Sequence, residues 1–313
     1  MEIGRQLITA NWSVSARISD EGLIATGSFP AIPRVRERTI CPVGETDKYI
    51  LGYRNEEQDR LTRQARELAG EAGWLLDQVG PLDGARVLEL GCGPHGCLDL
   101  LADRVGPAGS VVGLERNEDA VRMARAMIQD RGLSNVEVLV GDARDSRLGR
   151  ASFDAVTARL VLVNVPHCEE ILAEAIDLVR PGGKVAWHEA AWPCHTLDPP
   201  LPAWDRLFEL FQEFANLNHM DLFVARRLPR LLREGGLADV DARAIIHVYP
   251  PGNGRRTLGL DFVDNIAERF VAANLIGADE LAQLRGELAR HLDDPGTFVI
   301  SCLFVQAWGR KPA

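Results

Sequence analysis

Short apolar runs alternate with amphipathic stretches through the middle of this chain. The runs that predict β-strands, because they are brief and rich in Val, Leu and Ala, are residues 86–90, 110–115, 136–140, 153–163 and 184–192. The stretches between them in which apolar residues recur at helical spacing are residues 95–105, 118–131 and 168–179. Asn117 is a predicted N-cap and Gly132 a predicted stop for the second of these helices. Repeated strand–helix units predict a parallel sheet with right-handed crossovers and helices on both faces.

The chain on either side of this core has a different pattern. Its predicted divisions are an N-terminal extension (1–47), a helical segment (48–80), the core (81–192) and a C-terminal part (193–313). Alternation of apolar and polar residues over 12–18 predicts a strand, and the prolines after it predict a loop. The helical segment holds one predicted amphipathic helix, 55–79, which Gly70 and Gly73 weaken. The extension is expected to pack on the core or on a second subunit, or else to form a wall of a substrate pocket.

The C-terminal part combines strands with helices. Its predicted strands are 239–249 and 297–308, and its predicted helices are 226–234, 258–273 and 279–292. A further helix carries Trp204, Phe208, Phe211 and Phe214 on one face. Such a stripe is typical both of core packing and of an apolar ligand pocket.

The stretch that organises the core is residues 87–96, VLELGCGPHG. A strand that leads through a glycine-rich turn into a helix is the arrangement that holds a nucleotide at the end of a parallel strand. The glycines let the backbone approach a ligand, and the helix N-terminus contributes partial positive charge. Glu115 ends the next strand about 20 residues further on, the distance expected of a ribose-binding carboxylate. The turn alone also fits nicotinamide and flavin enzymes.

Four segments taken in order make the pattern more specific: Glu89-Leu90-Gly91-Cys92-Gly93, Glu115, Gly141-Asp142 and Pro181-Gly182-Gly183. As a set they resemble the class I S-adenosylmethionine (SAM) methyltransferases. The resemblance covers residues 80–190, and the tail at 304–310 looks like that of small-molecule methyltransferases of bacterial secondary metabolism, including antibiotic biosynthesis. It implies a Rossmann-like, mostly parallel seven-stranded sheet whose two late strands form an antiparallel edge. Helical insertions at 195–236 and 250–296 would then cap the substrate site.

The resemblance also implies that SAM is the cofactor. Glu115 is placed to accept hydrogen bonds from both ribose hydroxyls, and Asp142 is suited to the adenine amine. Glu89, with the backbone of Gly91 and Gly93, is suited to the zwitterionic amino-acid end. The other residues expected at the cofactor are Tyr49, Gln64, Cys92, Arg116, Ala143 and Arg159.

Methyl transfer is an in-line displacement, so the enzyme mainly holds the nucleophile and the methyl group in line. An oxygen acceptor also needs a base, and histidine is the commonest. His188 ends the fifth predicted strand and His195 follows in the adjacent loop, so these two are the candidate catalytic bases. Cys92, His95 and Cys97 have the composition of a metal site, but all three lie in one turn, which does not fit zinc spacing. No metal is therefore expected.

Composition and charge limit the kinds of partner that this chain is expected to bind. The formal net charge of −10 disfavours nucleic acid, which needs a basic footprint. The sequence has no run of about 18 apolar residues, so no membrane partner is expected. The six cysteines are scattered and no apolar signal segment begins the sequence, which favours the cytoplasm. Basic residues are nearly all Arg, which is typical of a GC-rich bacterial genome. The expected partner is a small, natural-product-like acceptor, with a homodimer as a further option.

Three other functions fit parts of the pattern. A SAM-binding protein of this fold can guide a cyclisation or rearrangement without transferring the methyl group, and a non-enzymatic SAM-binding subunit would show no turnover. A nicotinamide oxidoreductase should carry a Tyr-x-x-x-Lys motif, but none of the three tyrosines has a lysine four residues later. The sequence also lacks a G-x-x-x-x-G-K-[ST] phosphate loop and a G-x-S-x-G elbow. Methyl transfer to a small molecule is the leading hypothesis.

Overall fold

The computed structural model describes the backbone at residues 15–19, 22–26 and 55–313, and side chains from residue 60 onward. Strands β1 (Ser15–Ser19) and β2 (Gly22–Thr26) form an antiparallel hairpin. This hairpin belongs to a compact unit of residues 1–44. A second unit, residues 45–313, holds the main sheet.

The main sheet has seven strands. They are β3 (Arg86–Leu90), β4 (Ser110–Glu115), β5 (Val136–Val140), β6 (Phe153–Arg159), β7 (Val179–Ala191), β9 (Ala238–Ile245) and β11 (Leu303–Arg310). Their spatial order is β5-β4-β3-β6-β7-β11-β9. The first five pair in parallel, and β11 is antiparallel to both of its neighbours. The mostly parallel seven-stranded sheet with an antiparallel edge is thereby confirmed. Two short strands, β8 (Thr196–Asp198) and β10 (Phe298–Ile300), pair with each other.

Helices cover both faces of the sheet. They are α1 (Asn55–Glu67), α2 (Ala69–Val79), α3 (Leu98–Val105), α4 (Glu118–Arg131), α5 (Cys168–Leu178), α6 (Pro202–Leu217), α7 (Val224–Glu234), α8 (Leu258–Ala272) and α9 (Ala278–Asp293). Apolar residues of α2, α3 and α4 form one buried cluster with the sheet. Those of α5 and α7 form another, which α6, α8 and α9 extend. Asn117 caps α4 by accepting the Ala120 N–H at 2.7 Å, and Gly132 ends it in the left-handed region, both as predicted.

Several predicted boundaries were wrong where the backbone turns to form the site. The strand predicted over 153–163 ends at Arg159, because Leu160 adopts a φ of +54° that a strand cannot contain. The helix predicted from residue 95 begins at Leu98, because Gly96 has a φ of +57°. The fifth strand is longer than expected and runs from Val179 to Ala191.

The helix predicted over 55–79 is two helices. Only Leu68 separates α1 from α2, and Gly70 is the second residue of α2. The hydrogen bonds Leu68 N–H to Gln64 O (3.0 Å) and Ala72 N–H to Leu68 O (2.9 Å) continue across the interruption. The change is therefore local, and the buried stripe of α2 still packs on the sheet.

The strands predicted over 239–249 and 297–308 are also shorter. β9 ends at Ile245, and the second region is split between β10 and β11 by Ser301 and Cys302. Ser301 accepts the His247 N–H on its hydroxyl at 2.9 Å and donates its own N–H to the His247 carbonyl at 2.9 Å. The two chain segments are therefore tied together where the insertion that contains α8 and α9 leaves and rejoins the sheet.

Candidate functional site

One cavity lies at the carboxyl ends of the parallel strands, where open α/β sheets bind their ligands. On one side it is formed by residues at or just after the ends of β3, β4 and β5, here called the β3–β5 half: Glu89, Gly91, Cys92, Gly93, Glu115, Arg116, Asp142, Ala143 and Arg144. On the other side it is formed by residues from β7, β11, α8 and the loop before α8, called the β7–β11 half: Ala190, Trp192, Arg255, Leu258, Phe262, Asn265, Cys302 and Phe304. Between them lie Arg159 and the loop after β6, and Gln64 of α1 lines the cavity as well.

Glu89 organises the glycine-rich turn. Its two carboxylate oxygens accept the Cys97 N–H at 2.9 and 2.8 Å, just before α3 begins. A Cβ on Gly96 would lie 2.5 Å from one of these oxygens and 2.7 Å from the Cys92 carbonyl, so this position requires glycine. Burial raises the pKa of Glu89 to about 7, against the opposing effect of the Arg159 guanidinium. This carboxyl group therefore gains or loses its proton near neutral pH.

Glu115 joins the ends of β3 and β4. One carboxylate oxygen accepts the Gly93 N–H at 3.0 Å and the other accepts the Asn117 N–H at 2.9 Å. Burial raises the pKa of this carboxyl group above its ordinary value. Each carboxylate oxygen can accept a second hydrogen bond, so the pair can still receive two hydroxyl donors from a ligand.

Asp142 is bound by Arg144, a partner that the sequence did not reveal. The guanidinium donates from Nε at 3.0 and 3.2 Å and from Nη2 at 2.6 Å, and the Arg144 N–H donates at 2.9 Å. These hydrogen bonds lower the pKa of Asp142. The carboxylate is thus ionised and fixed at the rim of the cavity, with lone pairs left for an amine donor.

Arg159 and Gln64 connect the glycine turn with α1. Arg159 donates from Nη2 to the Gly96 carbonyl at 3.0 Å, which brings a fixed positive charge to the side of Glu89. Gln64 accepts a hydrogen bond from Arg60 at 2.8 Å. Tyr49, the remaining residue predicted to contact the cofactor, lies outside the described residues.

The loop after β6 is held by a buried carboxylate. Glu189 is fully buried and accepts the N–H groups of Val161 (2.9 Å), Leu162 (2.8 Å) and Val163 (3.3 Å). Asn164 supports the same loop by donating to the Leu160 carbonyl at 2.8 Å. Burial raises the pKa of Glu189 to about 7. Although Glu189 adjoins the site, its oxygens are committed to the backbone.

The β7–β11 half is apolar and aromatic. The rings of Trp192 and Phe262 are 4.7 Å apart, centroid to centroid, and Phe304 forms another part of this wall. Phe211 of α6 packs on Phe262 at 4.2 Å but does not reach the cavity. The aromatic stripe of α6 therefore packs in the core. The sequence left open that this stripe lines an apolar ligand pocket, but in the structure that part of the cavity wall comes from α8.

The structure does not bring the two candidate histidines to the cavity. Burial lowers the pKa of His188 to about 3 and that of His195 to about 4. His188 Nε2 lies 3.4 Å from Glu71, whose other oxygen lies 2.8 Å from His247 Nε2. His195 packs on Trp204, with ring centroids 4.8 Å apart. No histidine is among the described residues that line the cavity.

The described part of the chain contains no group of three or more His, Cys, Asp or Glu side chains arranged to hold a metal ion. Cys92 and Cys97 are buried, and burial raises the pKa of the Cys97 thiol to about 12. Of the helices described, none combines the length and apolar character needed to cross a bilayer.

Comparison with known proteins agrees with this geometry. Residues 81–226 match a family model described as a methyltransferase domain. The chain is 33% identical to demethylmenaquinone methyltransferase of Lactococcus lactis over 136 residues, which are 44% of this chain and 52% of that protein. It is 40% identical to nocamycin O-methyltransferase of Saccharothrix syringae over 111 residues, which are 36% of this chain and 40% of that protein. The chain thus spans about half the length of the curated relatives it matches.

A solved structure shows the same fold. The YcgJ protein of Bacillus subtilis superimposes with a TM-score of 0.51 over 79% of this chain and 99% of that chain, at 16% identity. The family match over residues 81–226, the sheet order and the glycine turn agree with the resemblance to class I SAM-dependent methyltransferases found in the sequence. SAM is accordingly the cofactor of this domain.

Proposed function

We propose that this protein transfers the methyl group of SAM to a small-molecule acceptor held in the β7–β11 half. The observation that carries the proposal is a single cavity that joins a polar half with three carboxylates to an apolar half with three aromatic rings. Binding sites for small molecules are mostly apolar with a few placed polar groups. An apolar acceptor and the charged cofactor would thus each meet a matching surface.

The chemistry of the β3–β5 half fits SAM. The ribose hydroxyls, the ammonium group and the adenine amine all donate hydrogen bonds, and Glu115, Glu89 and Asp142 present carboxylate oxygens to accept them. Arg159 supplies a cation for the carboxylate of the amino-acid end. The backbone of Gly91 and Gly93, with the side chains of Gln64, Cys92, Arg116 and Ala143, completes the proposed contact surface.

When bound, SAM supplies a methyl group that is already activated for displacement. The contribution of the protein is therefore to orient the acceptor in line and to exclude water, which the aromatic wall is suited to do. His188 and His195 are not proposed as bases, because neither lines the cavity and both are held neutral by burial. An acceptor that ionises easily fits this site best.

The finer acceptor class, a natural-product-like molecule of bacterial secondary metabolism, is supported by the similarity to nocamycin O-methyltransferase. On the same basis, we propose that the methylation belongs to antibiotic biosynthesis. The role predicted for the N-terminal extension and the predicted homodimer remain predictions from the sequence.

The proposal is tested by calorimetric titration of the full chain with SAM, S-adenosylhomocysteine and NADH. Micromolar binding of the first two and no binding of NADH are expected. The protein is then incubated with SAM and a panel of aromatic and polyketide-like acceptors, and S-adenosylhomocysteine is quantified together with a mass gain of one methyl group. Conversion of an acceptor without S-adenosylhomocysteine would instead support a cyclisation or rearrangement, and binding of NADH alone would refute the cofactor assignment.

A further inference from the structure

The described lining of the cavity is richer in basic than in acidic side chains, although the chain as a whole has a formal net charge of −10. Among the described residues, this lining contains five arginines, namely Arg60, Arg116, Arg144, Arg159 and Arg255. The same described lining contains three carboxylates, namely Glu89, Glu115 and Asp142. Five minus three leaves a formal surplus of two positive charges in an acidic protein. The carboxylates all lie in the β3–β5 half, so the surplus is most pronounced across from them.

Arg255 places a cation in the β7–β11 half. Its guanidinium carbon lies 5.6 Å from the ring centroid of Phe304 and 6.0 Å from that of Tyr249. Nε lies 3.2 Å from a carboxylate oxygen of Glu67, and the side chain is only 11% exposed. Among the described residues this is its one carboxylate partner, and it engages the Nε edge of the guanidinium. The two Nη groups are the remaining donors of the fork.

The neighbouring Arg256 explains why Arg255 is held in place. Arg256 is buried and donates to four backbone carbonyls: Leu292 (2.7 Å), Tyr249 (2.9 Å), Asp294 (2.8 Å) and Thr297 (2.7 Å). These bonds fix the loop before α8 to both ends of the insertion. Arg256 thus holds the backbone beside Arg255 in place, while burial and the contact with Glu67 restrict the Arg255 side chain, so little side-chain freedom is lost when a ligand binds.

The surroundings strengthen an interaction with an anion. Trp192, Phe262 and Phe304 exclude water, and charge-assisted hydrogen bonds are stronger in such a low-dielectric site. Guanidinium groups favour planar two-oxygen anions because their paired N–H donors match a carboxylate. The flat aromatic walls favour a flat apolar body on the same molecule.

We propose that Arg255 is a specificity-determining residue that binds the anionic oxygen group of the acceptor, so that the acceptor is a small aromatic acid bound as its carboxylate. This inference rests on the proposed function and names the substrate class of that site. An acceptor bound as its anion has already lost its proton. It needs no protein base, which fits a cavity whose described lining contains no histidine.

The test uses full-length protein saturated with S-adenosylhomocysteine and titrated calorimetrically with benzoate, 1-naphthoate and 2-naphthoate and with their neutral amides. The best acid is expected to bind about tenfold or more tightly than its amide, the value of one charge-assisted hydrogen bond. In Arg255→Gln this preference disappears, while the affinity of the amide is unchanged. Equal affinity of acid and amide in the native protein, or no binding of any acid, overturns the proposal.

Glu67→Gln separates anion binding from a structural ion pair. It removes the carboxylate that competes for Arg255, so the acids are expected to bind more tightly, opposite in sign to Arg255→Gln. If both variants weaken acid binding equally, the pair is structural and the proposal is wrong. Arg290→Gln, which removes an exposed charge outside the cavity, is the matched control. S-adenosylhomocysteine affinity and the thermal midpoint are measured for each variant, so that loss of the cofactor site or of the fold is recognised separately.

Discussion

The two halves of the cavity are built in different ways. The β3–β5 half consists of short segments that each follow a parallel strand, and its functional side chains point from strand ends to the same edge of the sheet. The β7–β11 half gathers residues from β7, from the loop before α8, from α8 and from β11, which are far apart in the sequence. A ligand common to the whole family can be bound by local motifs, whereas an acceptor peculiar to one protein is bound by residues that only tertiary structure assembles.

The two halves also differ in how their charges are held. In the β3–β5 half each carboxylate accepts backbone N–H groups, and Asp142 is paired with Arg144 in addition. Among the described residues of the β7–β11 half, the charged side chain is Arg255, which lies beside aromatic rings. Changes in one half should therefore leave ligand binding in the other half largely intact.

The largest expected effect concerns Glu115→Ala. Loss of one or two hydrogen bonds to the ribose should weaken S-adenosylhomocysteine binding by about tenfold to a hundredfold. Calorimetric titration measures it, and Glu118→Ala, at the exposed start of α4, is the control. An unchanged dissociation constant in a folded variant would remove the ribose assignment.

A smaller effect is expected from pH. Since burial raises the pKa of Glu89 to about 7, this carboxyl group is largely protonated at pH 6 and largely ionised at pH 8 in the ligand-free protein. A cationic ammonium group binds the ionised form, so affinity for S-adenosylhomocysteine should rise with pH, by about tenfold at most across this window, with proton release on binding. Titration in buffers of different ionisation enthalpy measures the released protons. The same pH dependence in Glu89→Gln would show that another group is responsible.

Phe262→Leu should affect only the other half. It retains an apolar side chain but removes a ring that faces Trp192, so naphthoate binding should weaken by about threefold to tenfold, or about 0.5–1.5 kcal/mol of aromatic pairing. S-adenosylhomocysteine binding should not change. Equal losses for both ligands would mean that the two halves are not independent.

The smallest effect is expected for Asn117→Ala. Removing the cap of α4 should lower the free energy of unfolding by about 1 kcal/mol, measured by urea denaturation, and Asn117→Ser should recover most of it. Cofactor affinity should be retained, because Glu115 accepts the backbone N–H of residue 117 rather than its side chain. A large loss of affinity would instead place the cap in the binding site.

The sequence predicted the mostly parallel sheet and the strand-end carboxylates that line the β3–β5 half, because both depend on local signals. Strand, glycine turn and helix follow one another within a few residues, and Glu89, Glu115 and Asp142 each lie within two residues of the end of a strand. Leu160 was missed because its left-handed φ is imposed by the loop that Glu189 holds. Arg255 was missed because nothing in the run Gly254-Arg255-Arg256 shows that one arginine faces a cavity and the next is buried against four carbonyls.

The insertion that carries Arg255 begins and ends at one place. Val248 forms an antiparallel bridge with Ile300, and the Tyr249 N–H donates to the Val299 carbonyl at 2.9 Å. From this base the chain runs out through α8 and α9 and returns, with Arg256 fastening the base from within. For protein engineering, residues 250–298 are an exchangeable segment, because its two ends lie side by side. Under the proposed function, grafting the corresponding segment of a methyltransferase at this base is expected to exchange acceptor preference while cofactor binding is retained.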